Sequence, residues 1–137
     1  MRESTSRKSI GVALLLIFLL FGFWYVEAGN FSDSNVPGTY VFQQNGERST
    51  LILRADHSFQ QQLEVEGRVS RASGSWRLFL SDSQSHIGFS KEFLKLSNQK
   101  INPDGTAYGG LENIFGLLSI TLGPSPDGPT FRKKWFH

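Results

Sequence analysis

Asp56, His57 and Ser58 bring the three residue types of a hydrolase triad together in the sequence. In such a triad the base reaches the nucleophile and a third group orients the base, which three consecutive residues on one turn cannot do. Asp and Ser are favoured in turns because their side chains bond to nearby backbone amides. We therefore expect a turn here, no catalytic residues, and a protein that is not an enzyme.

The spacing of the histidines and glycines bears on metal and cofactor binding. His57, His86 and His137 have no ligand spacing and the chain has no cysteine, so a zinc site is not expected. Gly109 and Gly110 belong to neither a phosphate-binding loop nor a dinucleotide fingerprint. They are expected to mark a turn, and no metal or cofactor is predicted.

Aromatic side chains are the remaining candidates for a binding site. Tyr40, Trp76 and Trp135 could line a cavity for a small apolar or amphipathic ligand. An eight-stranded barrel, however, has interior enough only for its own side chains or one small ligand, so core filling is the competing interpretation. The candidate ligand-binding residues are Tyr40, Phe59, Gln61, Trp76, Phe131 and Trp135.

Gln61 is the polar member of that set. It falls on the inward face of a predicted strand, between Phe59 and Leu63. It could contact a ligand, or it could lie at a barrel mouth or bond to backbone groups. Either of the last two is favoured over ligand contact, because a buried unpaired amide costs about 1–3 kcal/mol.

From Gly38 onward, apolar and polar residues alternate with the period of two that marks half-buried strands. Asn45-Gly46 is a strong hairpin signal because both positions accept positive φ. Strands are predicted at residues 38–44, 49–54, 59–66, 74–80, 86–90, 117–122 and 130–136.

The segments between these strands are less regular. Residues 67–73 fit the end of a hairpin, residues 91–96 fit a strand or one helical turn, and residues 98–107 read as a polar connection. No amphipathic helix of useful length follows residue 29. About eight short strands in this length predict an all-β fold, a small antiparallel barrel or sandwich.

Residues 10–26 are seventeen uncharged, mostly apolar residues. As a helix rising about 1.5 Å per residue the run is roughly 26 Å long, close to a hydrocarbon core of about 30 Å. Arg2, Arg7 and Lys8 precede it, and positive residues stay on the cytoplasmic side. The N-terminus is therefore expected in the cytoplasm and the C-terminal domain outside it, in the periplasm if the source is bacterial.

This run has two possible fates. One is a signal peptide cleaved after Ala28, which would leave a secreted protein. The other, favoured by Trp24 and Tyr25 at its end, is a retained anchor, since these rings prefer the membrane–water interface. The predicted organisation is a cytoplasmic flank at 1–9, a transmembrane anchor at 10–28, a linker at 29–37 and an extracytoplasmic barrel at 38–137.

The charge balance limits the classes of partner that are expected, and the cysteine content limits how the domain is stabilised. From residue 30 onward there are eleven basic and ten acidic residues. A nearly neutral domain outside the cytoplasm is not expected to bind nucleic acid. Without cysteine the domain must be stabilised by packing rather than disulfides.

Three motifs resemble the small lipocalin-like β domains of exported bacterial proteins. They are residues 38–40 (Gly-Thr-Tyr), residues 50–59, and residues 74–76 (Gly-Ser-Trp). The family pattern is a Gly-x-Trp or Gly-x-Tyr entering a strand, an apolar strand, a tight turn with Asp, and a strand beginning in Phe. The resemblance covers residues 38–80 and implies a lipocalin-like barrel.

The resemblance also implies a contact at the end of the barrel. In lipocalins a basic residue packs over the ring of the first motif. Its counterpart here would be Arg132 or Lys133 against Tyr40 or Trp76.

The expected function is that of a membrane-tethered extracytoplasmic β module with a structural or protein-interaction role, its partner an envelope protein. This predicts a filled core and an exposed apolar patch using Ile52, Phe79 or Phe136. The alternative is a lipocalin-like carrier of a small apolar or amphipathic ligand, which predicts an internal cavity of about 300 Å³ or more.

Overall fold

A computed structural model describes part of the chain and divides it into two compact units. The described residues are 12–17, 31–82, 84–97, 99, 101–123 and 127–135. The first unit is Met1–Asn30 with Ile114–Gly116, and the second is Phe31–Asn113 with Leu117–His137.

In the first unit, residues 12–17 are helical. Within the described part of the chain, no helix has the length and apolar content needed to cross a membrane. Most of the predicted anchor at 10–28 lies outside the described residues, as does Phe136 of the predicted apolar patch.

The second unit is built on a closed barrel of eight antiparallel strands, which confirms the all-β prediction and selects the barrel over the sandwich. Each strand pairs with the next along the chain, and the last pairs with the first. The strands are β1 (Gly38–Gln44), β2 (Glu47–Leu53), β3 (Ser58–Val65), β4 (Arg68–Phe79), β5 (His86–Phe89), β6 (Ala107–Ile114), β7 (Leu117–Leu122) and β8 (Thr130–Lys133).

Alternation places one face of each strand inside the barrel. In β3, Phe59, Gln61 and Leu63 are buried while the residues between them are exposed. The predicted Asn45-Gly46 hairpin is confirmed, with φ of 52° and 79° at the two positions. These left-handed values match the right-handed twist of the strands that the turn joins.

The prediction of a turn at Gly109 and Gly110 is wrong, because both lie buried within β6. A Cβ atom on Gly109 would lie 2.8 Å from Ile120 Cγ2 and 3.0 Å from the Thr121 carbonyl oxygen. Glycine is therefore required here by the close approach of β7 rather than by a turn.

Three other segments differ from their predictions. Residues 91–96 form neither a strand nor a helix but a turn followed by irregular chain. β8 ends at Lys133 and not at residue 136, so the inward–outward alternation stops before Trp135. β4 also begins six residues earlier than predicted and runs unbroken from Arg68 to Phe79.

The barrel has two ends that are closed differently. At the entry end, where odd-numbered strands begin and even-numbered strands finish, residues 31–36 lead into β1 and bury Val36. At the far end, which carries the β1–β2 and β3–β4 turns, the connection after β5 buries Phe93 and Leu96. We call residues 31–36 the cap and residues 91–97 the plug.

Candidate functional site

Four of the six predicted ligand-binding residues belong to one buried core cluster: Tyr40, Phe59, Trp76 and Phe131. A fifth, Gln61, is 2% exposed among them. The sixth, Trp135, lies beyond the end of β8 and is 54% exposed. The barrel interior therefore gathers five of the predicted residues and leaves Trp135 on the surface.

Five phenylalanine rings interlock in this interior. Phe93, from the plug, lies 4.5 Å from Phe89, 5.7 Å from Phe59 and 6.5 Å from Phe131 between ring centroids. Phe42 lies 5.8 Å from Phe131 in the same way. All five side chains are 8% exposed or less. Separations of 4.5–7 Å are those of favourable aromatic packing, so protein rings occupy the centre of the barrel.

Gln61 holds the plug to the barrel wall. Its Nε2 donates to the Leu94 carbonyl oxygen at 3.1 Å and to Ser49 Oγ at 3.2 Å, and its Oε1 accepts from the Leu94 backbone N–H at 2.7 Å. Both amide atoms are thus engaged by the protein itself. This confirms the expectation that Gln61 bonds to backbone, and the structural role accounts for a polar residue on an apolar face.

Glu47 makes a second link to the plug. The residue is 9% exposed, and its Oε2 accepts from Ser97 Oγ at 2.6 Å while Oε1 accepts from the Ser97 backbone N–H at 3.2 Å. Sequence reasoning missed this residue because the second strand was expected to begin at Ser49. The signal was present, since Glu47 has the same strand parity as Leu51 and Leu53.

At the entry end, the Tyr40 hydroxyl donates to the Val36 carbonyl oxygen at 2.5 Å. Burial raises the pKa of the Tyr40 phenol far above its usual range. Lys133 Nζ donates to the Asn35 carbonyl oxygen at 2.6 Å, and partial burial lowers the pKa of this ammonium group. The cap is thus fastened by side chains of β1 and β8 that bond to its backbone.

His57 is the residue that covers Trp76. The two rings are parallel within 2°, with centroids 4.4 Å apart, and the indole Nε1 donates to the Arg54 carbonyl oxygen at 3.0 Å. His57 Nε2 also lies 3.1 Å from Asp33 Oδ1 in the cap. The stacked residue is therefore His57, which the resemblance did not indicate.

Lys133 and Arg132 were the basic residues expected over Tyr40 or Trp76. Lys133 is the cross-strand neighbour of Tyr40, and Arg132 is that of Val41. The Lys133 ammonium lies 5.9 Å from the centroid of the Trp135 ring, so its aromatic contact is with the exposed tryptophan after β8.

The turn at residues 54–58 shows no triad geometry. Ser58 Oγ donates to Asp56 Oδ1 at 2.5 Å, and the Ser58 backbone N–H donates to the same oxygen at 2.9 Å. These bonds lower the pKa of the Asp56 carboxyl group. His57 meanwhile contacts Asp33 and Trp76, so the predicted turn chemistry accounts for this segment.

A groove of about 620 Å³ runs over the outside of β4, β5 and β6, with Trp76 contributing to its lining. Arg77 and Tyr108 flank Gly88, the residue they both pair with across the sheet. Asp104, at one end of the groove, accepts from the Thr106 hydroxyl at 2.6 Å, which lowers the pKa of its carboxyl group. Among the described residues no group of three metal-ligating side chains occurs.

A second groove, of about 420 Å³, lies over β2, β3 and β4, with Gln61 contributing to its lining. Each of these two grooves therefore includes one of the six predicted residues, and Tyr40, Phe59, Phe131 and Trp135 line neither.

Comparison with known proteins found no relative. No protein family, curated protein or solved structure matches the chain. The resemblance to lipocalin-like domains therefore stays a prediction, and the function must be argued from the geometry.

Proposed function

We propose that this chain is a membrane-tethered, extracytoplasmic β module with a structural or protein-interaction role. The observation that carries the proposal is the interlocked phenylalanine cluster, in which Phe93 of the plug fills the space between Phe59, Phe89 and Phe131. A barrel used to carry a ligand keeps its interior accessible, whereas here the ring at the centre belongs to a segment bonded through Gln61 to the wall.

The membrane tether is part of the same proposal. It is supported by the uncharged run at 10–26 and by the basic residues Arg2, Arg7 and Lys8 on its N-terminal side. The tether would hold the barrel outside the cytoplasm, where a fold without cysteine is indifferent to oxidising conditions.

A carrier function is the outcome that would displace the interaction role. A carrier and an interaction module can both be built on a closed up-and-down barrel, which is also the architecture of lipocalins. Native mass spectrometry of the full chain, extracted in detergent from its own membranes, distinguishes the carrier function from the interaction role. We expect the mass of the polypeptide alone once the detergent is removed. A stoichiometric small molecule that survives detergent removal would establish the carrier function instead.

The tether has a separate test. Membranes containing the protein are washed with alkaline carbonate, and the N-terminal residue of the retained protein is determined. We expect the chain to stay in the membrane pellet with residues 1–28 present. A mature chain that begins at Gly29 and is released by the wash would show that residues 10–26 are a cleaved signal.

A further inference from the structure

Exposed apolar side chains gather at the entry end of the barrel. Phe79 ends β4 and Leu80 follows it, Leu117 begins β7, and Trp135 follows β8. Their exposed fractions are 52%, 63%, 58% and 54%. Even-numbered strands finish and odd-numbered strands begin at this end, so one edge of the barrel carries all four. We call these four residues the apolar rim.

The far end of the barrel is polar by comparison. The β1–β2 turn is Asn45-Gly46, and the β3–β4 turn is Glu66-Gly67 followed by Arg68. Among the described residues of the far-end turns and connections, the exposed large apolar side chains are Val69, at 49%, and Ile101, at 40%. Apolar groups concentrated at one end mark a surface that contacts something other than water.

The length of chain between the proposed tether and the barrel indicates what the apolar rim faces. Five residue steps join Val26, the last residue of the apolar run, to Phe31, whose side chain packs against the barrel core. An extended chain covers at most about 3.6 Å per residue, so these steps reach about 18 Å. The cap begins at Phe31 and lies at the entry end, so a membrane anchor at residues 10–26 would leave the start of the cap within about 18 Å of the end of the apolar run.

We propose that the apolar rim docks on the lipid bilayer, so that the barrel lies against the membrane with its entry end down. This inference rests on the tether in the proposed function. Trp135 is suited to the headgroup level, where tryptophan is enriched, and Leu80 and Leu117 are suited to the acyl boundary below it. The charged residues beside the rim are Asp82, after Leu80, and the basic residues 132–134, before Trp135. Because these basic groups would also favour anionic headgroups, vesicles of zwitterionic lipid isolate the apolar contact.

Quenching of Trp135 by lipid tests the docking. The full chain carrying Trp24→Phe is reconstituted into vesicles of phosphatidylcholine brominated on its acyl chains. The remaining tryptophans are then Trp76, 2% exposed inside the barrel, and Trp135. We expect the Trp135 emission to fall about twofold relative to unbrominated vesicles, since a headgroup-level ring lies near the bromines. The double variant Trp24→Phe/Trp135→Phe gives the Trp76 background.

Two matched variants assign the effect to the rim. Leu80→Ser with Leu117→Ser, in the Trp24→Phe chain, should abolish the quenching, while the far-end variant Val69→Ser should leave it unchanged. All three positions are about half exposed or more, so these replacements preserve the fold. Equal quenching in the rim and Val69 variants would overturn the proposal.

The two proposals fail in different ways. If the chain floats with the vesicles but Trp135 is unquenched, the tether stands and the docking is wrong, and the rim would then be available to a protein partner or a second copy. If the chain does not float with the vesicles, the tether itself is wrong. Quenching that persists in 0.5 M salt, on the order of the concentration that shortens the screening length to a few Å, supports docking by apolar contact.

Discussion

The two closures of the barrel use different chemistry. At the far end the plug inserts a ring, Phe93, and is held by the side chains of Gln61 and Glu47. At the entry end the cap offers backbone carbonyl oxygens to Tyr40 and Lys133. A backbone acceptor is present whatever the side chain, whereas a ring cavity is specific in shape. The plug is therefore constrained by the shape of the Phe93 ring. The cap is constrained by packing at Val36, which is fully buried, while its bonds to Tyr40 and Lys133 place no demand on side-chain type.

The largest expected effect is at the plug. Phe93→Ala removes a buried ring that contacts three others and should lower the free energy of unfolding by about 3–5 kcal/mol. Urea denaturation monitored by tryptophan fluorescence measures the change. Phe79→Ala, at a 52% exposed position, is the matched control and should cost far less. Similar losses in the two variants would mean that Phe93 does not fill the interior.

A smaller effect is expected where the plug meets the wall. Gln61→Leu leaves the N–H and carbonyl groups of Leu94 without their partner, which costs about 1–3 kcal/mol for each buried group that stays unpaired. Gln62→Leu, on the exposed face of the same strand, should be nearly neutral. Hydrogen exchange at the Leu94 amide gives a local reading, and unchanged protection in Gln61→Leu would contradict the assigned role.

The smallest expected effect is at the cap, and it depends on pH. Tyr40→Phe removes one buried hydrogen bond, worth about 1 kcal/mol at neutral pH. Since burial raises the pKa of Tyr40, only the unfolded chain loses this proton readily above about pH 10. The stability it contributes is therefore complete below that pH and is lost as the pH rises further.

Alkaline unfolding curves of the parent chain and Tyr40→Phe isolate this contribution. The parent should lose stability more steeply above about pH 10 than the variant does. Lys133 acts in the opposite direction because its pKa is lowered by burial, but it is present in both proteins and cancels in the comparison. Parallel curves would mean that Tyr40 is not buried in its neutral form.

The alternation of apolar and polar residues predicted those strands whose residues interact with near neighbours in the sequence. In β1 to β3 the alternation of apolar residues and the Asn45-Gly46 turn act over a few residues, and the strands and register follow from them. β6 carries Gly109 where β7 approaches closely and Gly110 where the Gln84 side chain does, and both constraints come from residues more than ten positions away. No period of two survives there to indicate a strand.

The residues of the candidate site also fall into those that local pattern predicts and those that it does not. Tyr40, Phe59 and Phe131 were predicted to be inside the barrel because strand parity alone places them there, and they are buried. The plug was not predicted, because Phe93 and Leu94 acquire their partners only when the barrel closes around them. His57 was also missed as the partner of Trp76, since a turn residue with φ of 68° points where strand parity cannot indicate.

The seam between β1 and β8 has a consequence for how the protein assembles. It joins Tyr40 to Lys133, 93 positions apart, through a terminal strand of only four residues. Contacts between such distant positions form late and slow folding, because a long loop must close before they are made. Until then β1 and β8 are unpaired edges that can add a strand from another molecule. The rate of seam formation therefore sets how long each new molecule is open to strand exchange and aggregation.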